Sequence, residues 1–381
     1  YILKRRLDHA LAEIAGGRKA IDVVLEYGFD TYAGFYKAFV KMYGCSPRKY
    51  LSIYKEHKPK MPEVVNMYTK KELQNILENW DIEKNLPISD IYLMDGSRVT
   101  GNLWTVGNDY ILKTGKREVI MKTLKISKAL YNQGFSSSLP ILTKTGEEYL
   151  DGKDIFILTR GIKGNPLSRT HRFGDNRIKF GEKYGRSIAL LHKALKTIQK
   201  DITADEVNLY ENVTVWALPN VKKQNNQWDM NINDSFFDDY VESFGRLYSK
   251  LPNQLIHRDP NPSNILFDGD EVSGFIDFDL SEINIRLWDV CYCATGILSE
   301  GNAEAYEKWL EILKGILYGY DQESKLTKEE KDGVFYVICS IQMICIAFFQ
   351  SNDMYQDLAK TNRQMLKFII DNKDKIINIF K

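Results

Sequence analysis

The sequence is poor in cysteine and carries almost no net charge. Its 381 residues include five cysteines, scattered along the chain, and the formal net charge is +1. The Cys-x-Cys pair at Cys291 and Cys293 has no further His or Cys cluster nearby, so we interpret it as two small core residues and not as a zinc site. This cysteine usage is typical of a reducing cytoplasm. The charge balance argues against a chain coated with nucleic acid along its whole length.

The sequence shows no internal repeat and no low-complexity segment, and we expect no signal peptide. The most apolar run, Val334 to Phe349, is short for a bilayer span and is interrupted by Ser340 and Gln342, so a buried helix is expected and no membrane partner. Because the chain begins at Tyr1 without methionine, we expect that something preceding it was removed or left out. A hydrophobic content of 44% and a charged content of 27% are ordinary for a globular protein of two or three domains.

The first sixty residues are basic. They contain twelve Lys or Arg against six Asp or Glu, a local net charge of +6, which suggests a polyanionic partner. Helical spacing of apolar residues extends over residues 1–15, a second short helix is predicted from Ala20 to Tyr27, and a third begins near Thr31 and ends at Gly44. Two helices joined by a short glycine turn have the outline of a helix-turn-helix.

A longer pattern in this region resembles the second helix-turn-helix of the AraC/XylS family of transcription regulators. Its signature, G-F-x(5)-F-x(3)-F-x(4)-G-x-S-P-x-x-[YF], is matched by Gly28, Phe29, Phe35, Phe39, Gly44, Ser46, Pro47 and Tyr50. The three phenylalanines are expected in the core. The resemblance implies double-stranded DNA as a partner. Because the family's first helix-turn-helix unit is absent, DNA binding is expected to be weak or to need a homodimer.

Four polar residues of this motif are left to face outward. Thr31 and Tyr32 lie near the N-terminus of the last helix, where a recognition helix meets base edges, and Lys37 and Lys41 are placed to contact phosphates. We expect these four residues to bind DNA. For the lysines, a solvated helix face is an equal alternative.

Residues 255–289 carry polar side chains at distinctive intervals within the sequence LIHRDPNPSNILFDGDEVSGFIDFDLSEINIRLWD. Asp259 follows an aliphatic pair, Asn264 comes five residues later, and Asp277 ends a second apolar run. Phosphoryl transfer needs a carboxylate that orients the attacking hydroxyl and two oxygen ligands that hold Mg²⁺ against the nucleotide phosphates. We therefore expect Asp259 to be catalytic and Asn264 and Asp277 to bind the metal. Two buried hairpin strands with polar turns would explain the apolar alternation but not these intervals.

The spacing H-R-D-x-x-x-x-N is the catalytic-loop pattern of the kinases. Only eleven residues separate Asp277 from Asp289, which leaves no room for the activation loop of a protein kinase. The pattern instead resembles the aminoglycoside phosphotransferase and choline kinase-like superfamily, whose members read H-G-D-x-x-x-x-N, then I-D-[FW]-[DE], and later W-D, here Trp288-Asp289. Arg258 stands where that family has glycine. The resemblance implies ATP or GTP, Mg²⁺ and a small-molecule hydroxyl acceptor.

A segment rich in short strands supplies candidates for binding the nucleotide. Strands are predicted at 91–94, 99–106 and 110–113, after a capping box at Thr69–Glu72 that opens a helix through Trp80. Lys113 ends the third strand, where kinases place the lysine that grips the phosphates; an ordinary exposed lysine at a strand end is the alternative. Ser97 lies in a turn whose backbone N–H groups would cover the phosphates.

Further nucleotide contacts are expected downstream. Glu118, near the start of a helix at 117–133, would pair with Lys113, although an acid there equally complements the helix dipole. Strands are predicted around 139–143 and 155–159. The resemblance then places a hinge at Thr159 to Gly161, whose backbone would bond the adenine. The acceptor pocket implied by the resemblance leaves four candidates unranked: Glu206, Trp216, Glu300 and Tyr318.

The sequence thus predicts an α+β chain. A small all-α helix-turn-helix domain (1–54) and a linker (55–63) are expected to precede a bilobal protein-kinase-like fold, with an antiparallel-sheet small lobe (64–161) and a mainly helical large lobe containing the acceptor pocket (162–381). The expected function is a cytoplasmic, ATP- or GTP- and Mg²⁺-dependent phosphotransferase fused to a DNA-binding head. The alternative is a transcription regulator whose kinase-like domain is a non-catalytic ligand or nucleotide sensor.

Overall fold

The computed structural model describes residues 68–91, 102–152, 154–300, 303–351 and 355–380, together with Leu11, Val23, Phe35 and Tyr36. Phe35 is fully buried, as expected of the head's core. Five predicted site residues lie outside the described residues: Thr31, Tyr32, Lys37, Lys41 and Ser97. The linker at 55–63 lies outside them as well. The chain divides into two compact units, Tyr1–Gly115 with Pro140–Arg160 (unit one) and Lys116–Leu139 with Gly161–Lys381 (unit two).

Unit one contains a four-stranded antiparallel sheet. Its strands, in sheet order, are β1 (Ile88–Asp90), β2 (Leu103–Val106), β3 (Tyr110–Gly115) and β4 (Ile155–Arg160). The turn between β2 and β3 has Gly107 at a φ of 59°, a conformation that glycine adopts without strain.

Helix α1 (Lys70–Leu77) packs on this sheet and begins with the predicted capping box. The Thr69 hydroxyl accepts a hydrogen bond from the Glu72 amide, and the Glu72 carboxylate accepts one from the Thr69 amide. Leu73 and Leu77 share a buried cluster with Trp104 of β2. The helix ends three residues before Trp80, which was its predicted end.

Residues 139–143 do not form a regular strand. Pro140 makes an isolated bridge to Thr159, and Thr143 makes another to Trp80. The Trp80 indole N–H donates to the main-chain oxygen of Ile141 at 2.9 Å. Because proline has no amide hydrogen to continue a ladder, pairing stops at single bridges. The prediction of a strand at this position is wrong.

Unit two is mainly helical. Its described helices are α2 (Arg117–Asn132), α3 (Arg169–Arg172), α4 (Arg177–Ile198), α5 (Leu209–Asn212), α6 (Leu218–Gln224), α7 (Asp234–Asp239), α8 (Gly245–Tyr248), α9 (Leu287–Ser299), α10 (Ala303–Glu323), α11 (Lys328–Gln350), α12 (Gln356–Asp371) and α13 (Lys373–Ile377). A π-helical turn, Val213–Ala217, joins α5 to α6, and another, Tyr240–Phe244, joins α7 to α8.

Five short strands complete unit two. They are β5 (Asn165–Pro166), β6 (Asn253–Ile256), β7 (Ile265–Asp268), β8 (Glu271–Phe275) and β9 (Glu282–Ile285). They form two small antiparallel sheets, in the orders β5-β7-β8 and β6-β9. The loops at the ends of β6 and β8 carry the acidic residues singled out by the sequence.

Helix α11 is a long apolar helix of unit two. It spans 23 residues, and by length and composition it could cross a membrane, so the argument that the apolar run is too short is wrong. However, 72% of its most apolar window is buried inside the structure. Its first turn has a capping box formed by Thr327 and Glu330. The expectation of a buried helix is therefore confirmed by packing and not by length.

Two glycine pairs bring α4 and α10 into close contact. Gly181 and Gly185 lie four residues apart on α4, and Gly315 and Gly319 lie four apart on α10. A Cβ atom at Gly185 would lie 1.9 Å from the main-chain oxygen of Ile316. Only a residue without a side chain allows two helix backbones to approach this closely.

We expect Gly185→Ala to lower the free energy of unfolding by about 3 kcal/mol, because the added methyl group forces the two helices apart. Urea denaturation followed by circular dichroism measures the change. Gly333→Ala in α11 is the matched control, since its Cβ would meet nothing closer than 3.6 Å; there the free energy should rise by up to about 1 kcal/mol through helix propensity. Equal stability of Gly185→Ala and the wild type would contradict the close contact.

Candidate active site

The loop between β6 and β7 places Asp259 beside Asn264. The chain returns to β7 through a 3₁₀ turn, Pro262–Asn264. The Asn264 side-chain amide donates to the Asp259 carboxylate at 3.2 Å and to the Asp259 main-chain oxygen at 3.0 Å. Because its nitrogen is committed to Asp259, the side-chain oxygen of Asn264 is directed away from that residue, and among the described residues no donor to it is found.

Asp277 reaches the same region from the end of β8. The Ile276 amide, one residue earlier, donates to the main-chain oxygen of Asn264 at 3.0 Å. Asp277 itself is exposed and has a φ of 65°, a conformation that is uncommon for residues other than glycine. Its carboxylate is near enough to act on the pKa of Asp259. The structure therefore brings the three predicted residues together.

The carboxyl group of Asp259 has a raised pKa. Burial is the largest cause, and the negative charge of Asp277 acts in the same direction. His257, a hydrogen bond from Tyr292 and the positive charge of Arg258 act in the opposite direction without cancelling the rise. A raised pKa makes this carboxylate a stronger proton acceptor than an exposed aspartate.

A buried carboxylate fixes the start of the loop. Asp289, in the first turn of α9, has no exposed surface. It accepts hydrogen bonds from the main-chain amides of His257 at 2.8 Å and Arg258 at 2.9 Å, and Nε2 of His192 lies 3.0 Å from the same group. On its other side His192 contacts the hydroxyl of Tyr320, 2.8 Å from Nδ1. These donors compensate for the burial of the charge.

Arg258 has a φ of 77°, which explains why glycine suits this position in the superfamily pattern. A left-handed conformation costs a non-glycine residue about 1–2 kcal/mol. Contacts on both sides offset that cost. The Arg258 guanidinium lies 3.9 Å from the centroid of the Trp288 ring and its Nε 3.0 Å from the Glu282 carboxylate. The Trp288 indole N–H donates to the Arg258 main-chain oxygen at 2.9 Å.

Two neighbours of Asp259 were missed by the sequence reasoning. Tyr292, one helical turn after Asp289, forms a side-chain hydrogen bond with Asp259. Cys345 of α11 is also close: burial raises the pKa of its thiol to about 12, and Asp259 adds to the rise. The W-D pair could have indicated Tyr292, because residues three apart share a helix face. Cys345 has no local signal.

The predicted nucleotide contacts are divided between the two units. Lys113 lies on β3 opposite Leu103 and Ile157. Thr159 is buried on β4, and Gly161 follows β4 as the first residue of its segment of unit two. Glu118 is exposed in the first turn of α2, in unit two. The roles of these four residues remain predictions.

The four unranked pocket residues differ in their contacts. Glu300 pairs with Arg172, and the Tyr318 hydroxyl donates to the main-chain oxygen of Ile379 at 3.1 Å. Glu206 is exposed and bridges to Ile283 of β9. Trp216 is 38% exposed on a π-helical turn. Tyr318 is 36% exposed, so Glu206, Trp216 and Tyr318 all have surface that a ligand could contact.

The donor set fits a hard divalent cation. Mg²⁺ binds through oxygen ligands, usually one or two from carboxylates, and takes the rest from phosphates and water. The exposed Asp277 carboxylate and the side-chain oxygen of Asn264 supply such ligands. Within the described residues, no group of three or more His, Cys, Asp or Glu could hold a metal ion.

We expect Asp289→Asn to lower the melting temperature by about 5–10 °C, because one acceptor oxygen is lost and an N–H group is turned towards buried donors. Differential scanning calorimetry measures the shift. Asp268→Asn is the control, since Asp268 pairs with Lys163 at an exposed site and should shift it little. A melting temperature for Asp289→Asn equal to that of the control would show that the network does not anchor the loop.

Comparison with known protein families gives two matches. A sequence model described as the phosphotransferase enzyme family matches residues 98–323. A second model, described as a helix-turn-helix domain, matches residues 1–53.

Individual relatives are similar over different lengths. The homoserine kinase of Zymomonas mobilis is 35% identical over 95 residues, which are 24% of this chain and 28% of that enzyme. The chain therefore matches little more than a quarter of the length of this curated relative. A solved structure of an amicoumacin kinase with AMP-PNP, Ca²⁺ and Ami is similar over 79% of this chain and 93% of that one, with a TM-score of 0.58 and 12% identity.

A second solved structure, the GDP complex of aminoglycoside 2'-phosphotransferase-IIIa, is similar over 80% of this chain and 100% of that one, with a TM-score of 0.54 and 13% identity. Both likenesses show the fold, and they confirm the expected protein-kinase-like architecture. The first family model covers more than half of the sequence. The chain therefore belongs to the phosphotransferase enzyme family and carries an AraC-type helix-turn-helix domain at residues 1–53.

Proposed function

We propose that the chain transfers the terminal phosphoryl group of ATP or GTP, with Mg²⁺, to a hydroxyl group of a small molecule. The observation that carries the proposal is the convergence of Asp259, Asn264 and Asp277, with Asp289 holding the loop. Membership of the phosphotransferase family supports it, as do a relative named homoserine kinase and a structural neighbour named amicoumacin kinase.

Asp259 would act on the acceptor. Its carboxylate would orient the acceptor hydroxyl and take its proton while the hydroxyl oxygen bonds to the terminal phosphorus and the bond to the leaving nucleoside diphosphate breaks. Hydrogen bonds from Asn264 and Tyr292 hold the carboxylate in place. Preorganised contacts of this kind are the main contribution of a protein to phosphoryl transfer.

The remaining roles follow the sequence predictions. Asn264 and Asp277 would hold Mg²⁺, which when bound neutralises charge on the phosphates. Lys113 would bind the phosphates and Glu118 would orient it. The backbone at Thr159 and Gly161 would contact the base, and the turn containing Ser97 would cover the phosphates.

The acceptor is proposed to be an amino alcohol. The proteins that this chain resembles include a homoserine kinase and a microcompartment-associated aminopropanol kinase. In this chain, Glu206 is exposed beside β9. The pKa of Tyr248 is raised by burial and also by the negative charges of Glu206 and Glu282, so the two carboxylates lie in the same region. Glu282 is paired with Arg258, so of these two carboxylates we propose Glu206 as the one that attracts an ammonium group.

We expect Asp259→Asn to lower turnover by about 100- to 10 000-fold, the usual contribution of a general base, while nucleotide still binds. A coupled assay of nucleoside diphosphate release with homoserine, aminopropanol, choline and aminoglycosides measures turnover. Calorimetric titration with AMP-PNP and Mg²⁺ measures binding. Asp268→Asn is the control for charge removal. Undiminished turnover of Asp259→Asn would contradict its role, and failure of the wild type with the whole panel would remove support for the proposed acceptors.

The N-terminal domain motivates a second candidate, a cytoplasmic DNA-binding regulator that uses the large domain as a sensor of nucleotide or small molecule. The helix-turn-helix match at 1–53 and the local charge of +6 favour DNA binding. Thr31, Tyr32, Lys37 and Lys41 would be its contacts.

If the large domain is a sensor, we expect nucleotide or the small-molecule substrate to change the affinity for DNA. The same change is expected in Asp259→Asn, because ligand binding does not require a group that accepts a proton. Fluorescence anisotropy with a library of duplexes, with and without AMP-PNP and Mg²⁺, checks this. A response that needs ATP and an acceptor, does not occur with AMP-PNP and is lost in Asp259→Asn would instead tie regulation to the phosphoryl transfer itself.

A further inference from the structure

Lys122, in the second turn of α2, contacts a segment more than 150 residues further along the chain. Its ammonium group donates to the main-chain oxygens of Asp279 at 2.9 Å and Ser281 at 3.0 Å. The side chain is half-buried, and Ser281 is 3% exposed. Main-chain oxygens removed from water need a hydrogen-bond donor. The Lys122 ammonium group is the donor for both of these oxygens.

The contacted segment directly follows the proposed metal ligand. After Asp277, a turn closes by a hydrogen bond from the Ser281 amide to the Phe278 main-chain oxygen at 3.1 Å. The Phe278 ring lies 4.5 Å from the ring of His257, between centroids. Residues 277–281 therefore contact two other parts of the chain. Phe278 packs against His257, and the main-chain oxygens of Asp279 and Ser281 accept hydrogen bonds from Lys122.

We propose that Lys122 is a positioning residue that fixes residues 277–281 and thereby the carboxylate of Asp277. The inference rests on the proposed function in so far as Asp277 holds the metal.

Lys122→Met in the full chain tests the positioning role. Lys125→Met is the matched control, because Lys125 is an exposed lysine one turn further on α2 whose ammonium donates to the main-chain oxygen of Asp201. Lys122→Arg keeps a cationic donor and should restore the contact in part. Circular dichroism shows whether each variant folds.

The first readout is hydrogen–deuterium exchange without nucleotide or metal. Exchange in peptides that cover residues 277–284 should become about tenfold faster in Lys122→Met and should not change in Lys125→Met. Unchanged exchange in Lys122→Met would overturn the proposal. Because this readout needs no activity, it decides the role of Lys122 in fixing the segment even if no acceptor is phosphorylated.

The second readout is the Mg²⁺ concentration that gives half of the thermal stabilisation by AMP-PNP. It should rise several-fold in Lys122→Met, return towards the wild-type value in Lys122→Arg and stay unchanged in Lys125→Met. A wild-type response to Mg²⁺ that Lys122→Met leaves unaltered would overturn the link to the metal. Absence of any wild-type response to both AMP-PNP and the corresponding GTP analogue would instead count against the proposed function.

Discussion

The burial of a single carboxylate, that of Asp289, constrains the geometry of the site. A charge with no exposed surface must be surrounded by donors, and two of these donors are the backbone amides of His257 and Arg258. The third is His192, whose ring also contacts Tyr320. His192 and Tyr320 belong to α4 and α10, the two helices that glycines bring together. The distance between these two helices therefore affects the position of the Asp259 loop, because Tyr320, His192 and Asp289 form a continuous chain of contacts from the helices to the loop backbone.

His257 connects this anchor to the second half of the site. Its amide binds Asp289, its Nε2 lies 3.0 Å from the main-chain oxygen of Ile276, and its ring packs on Phe278. The Asp259 loop and the Asp277 segment therefore do not move independently. Each half also contains a residue in a left-handed conformation, Arg258 in one and Asp277 in the other. A left-handed conformation of a non-glycine residue is stable only when surrounding contacts stabilise it. At Arg258 these contacts are with Trp288 and Glu282.

Local patterns predicted the parts of the structure that depend on neighbouring residues. The capping box of α1, the end of β8 and the approach of Asn264 to Asp259 follow from spacings of three to five residues. The prediction of a strand at 139–143 was wrong because it relied on the apolar pattern alone. Pro140 has no amide hydrogen, so it interrupts the ladder that this pattern would otherwise form. Tyr292, Cys345 and Lys122 were missed because their partners are distant in sequence. Asp289 was recognised as part of a motif, but its role became clear only when its hydrogen-bond donors were known.

An enzyme needs Asp259 as a proton acceptor, whereas a sensor does not. A sensor needs a shaped cavity, and burying an aspartate beside Asp277 would only weaken a domain that binds without chemistry. Here burial raises the pKa of Asp259 in a loop that also contains the strained residue Arg258. A perturbed carboxylate held by a buried network is typical of sites where a proton is transferred. The burial of Asp259 is thus easier to explain in the proposed phosphotransferase than in a domain that only binds a ligand.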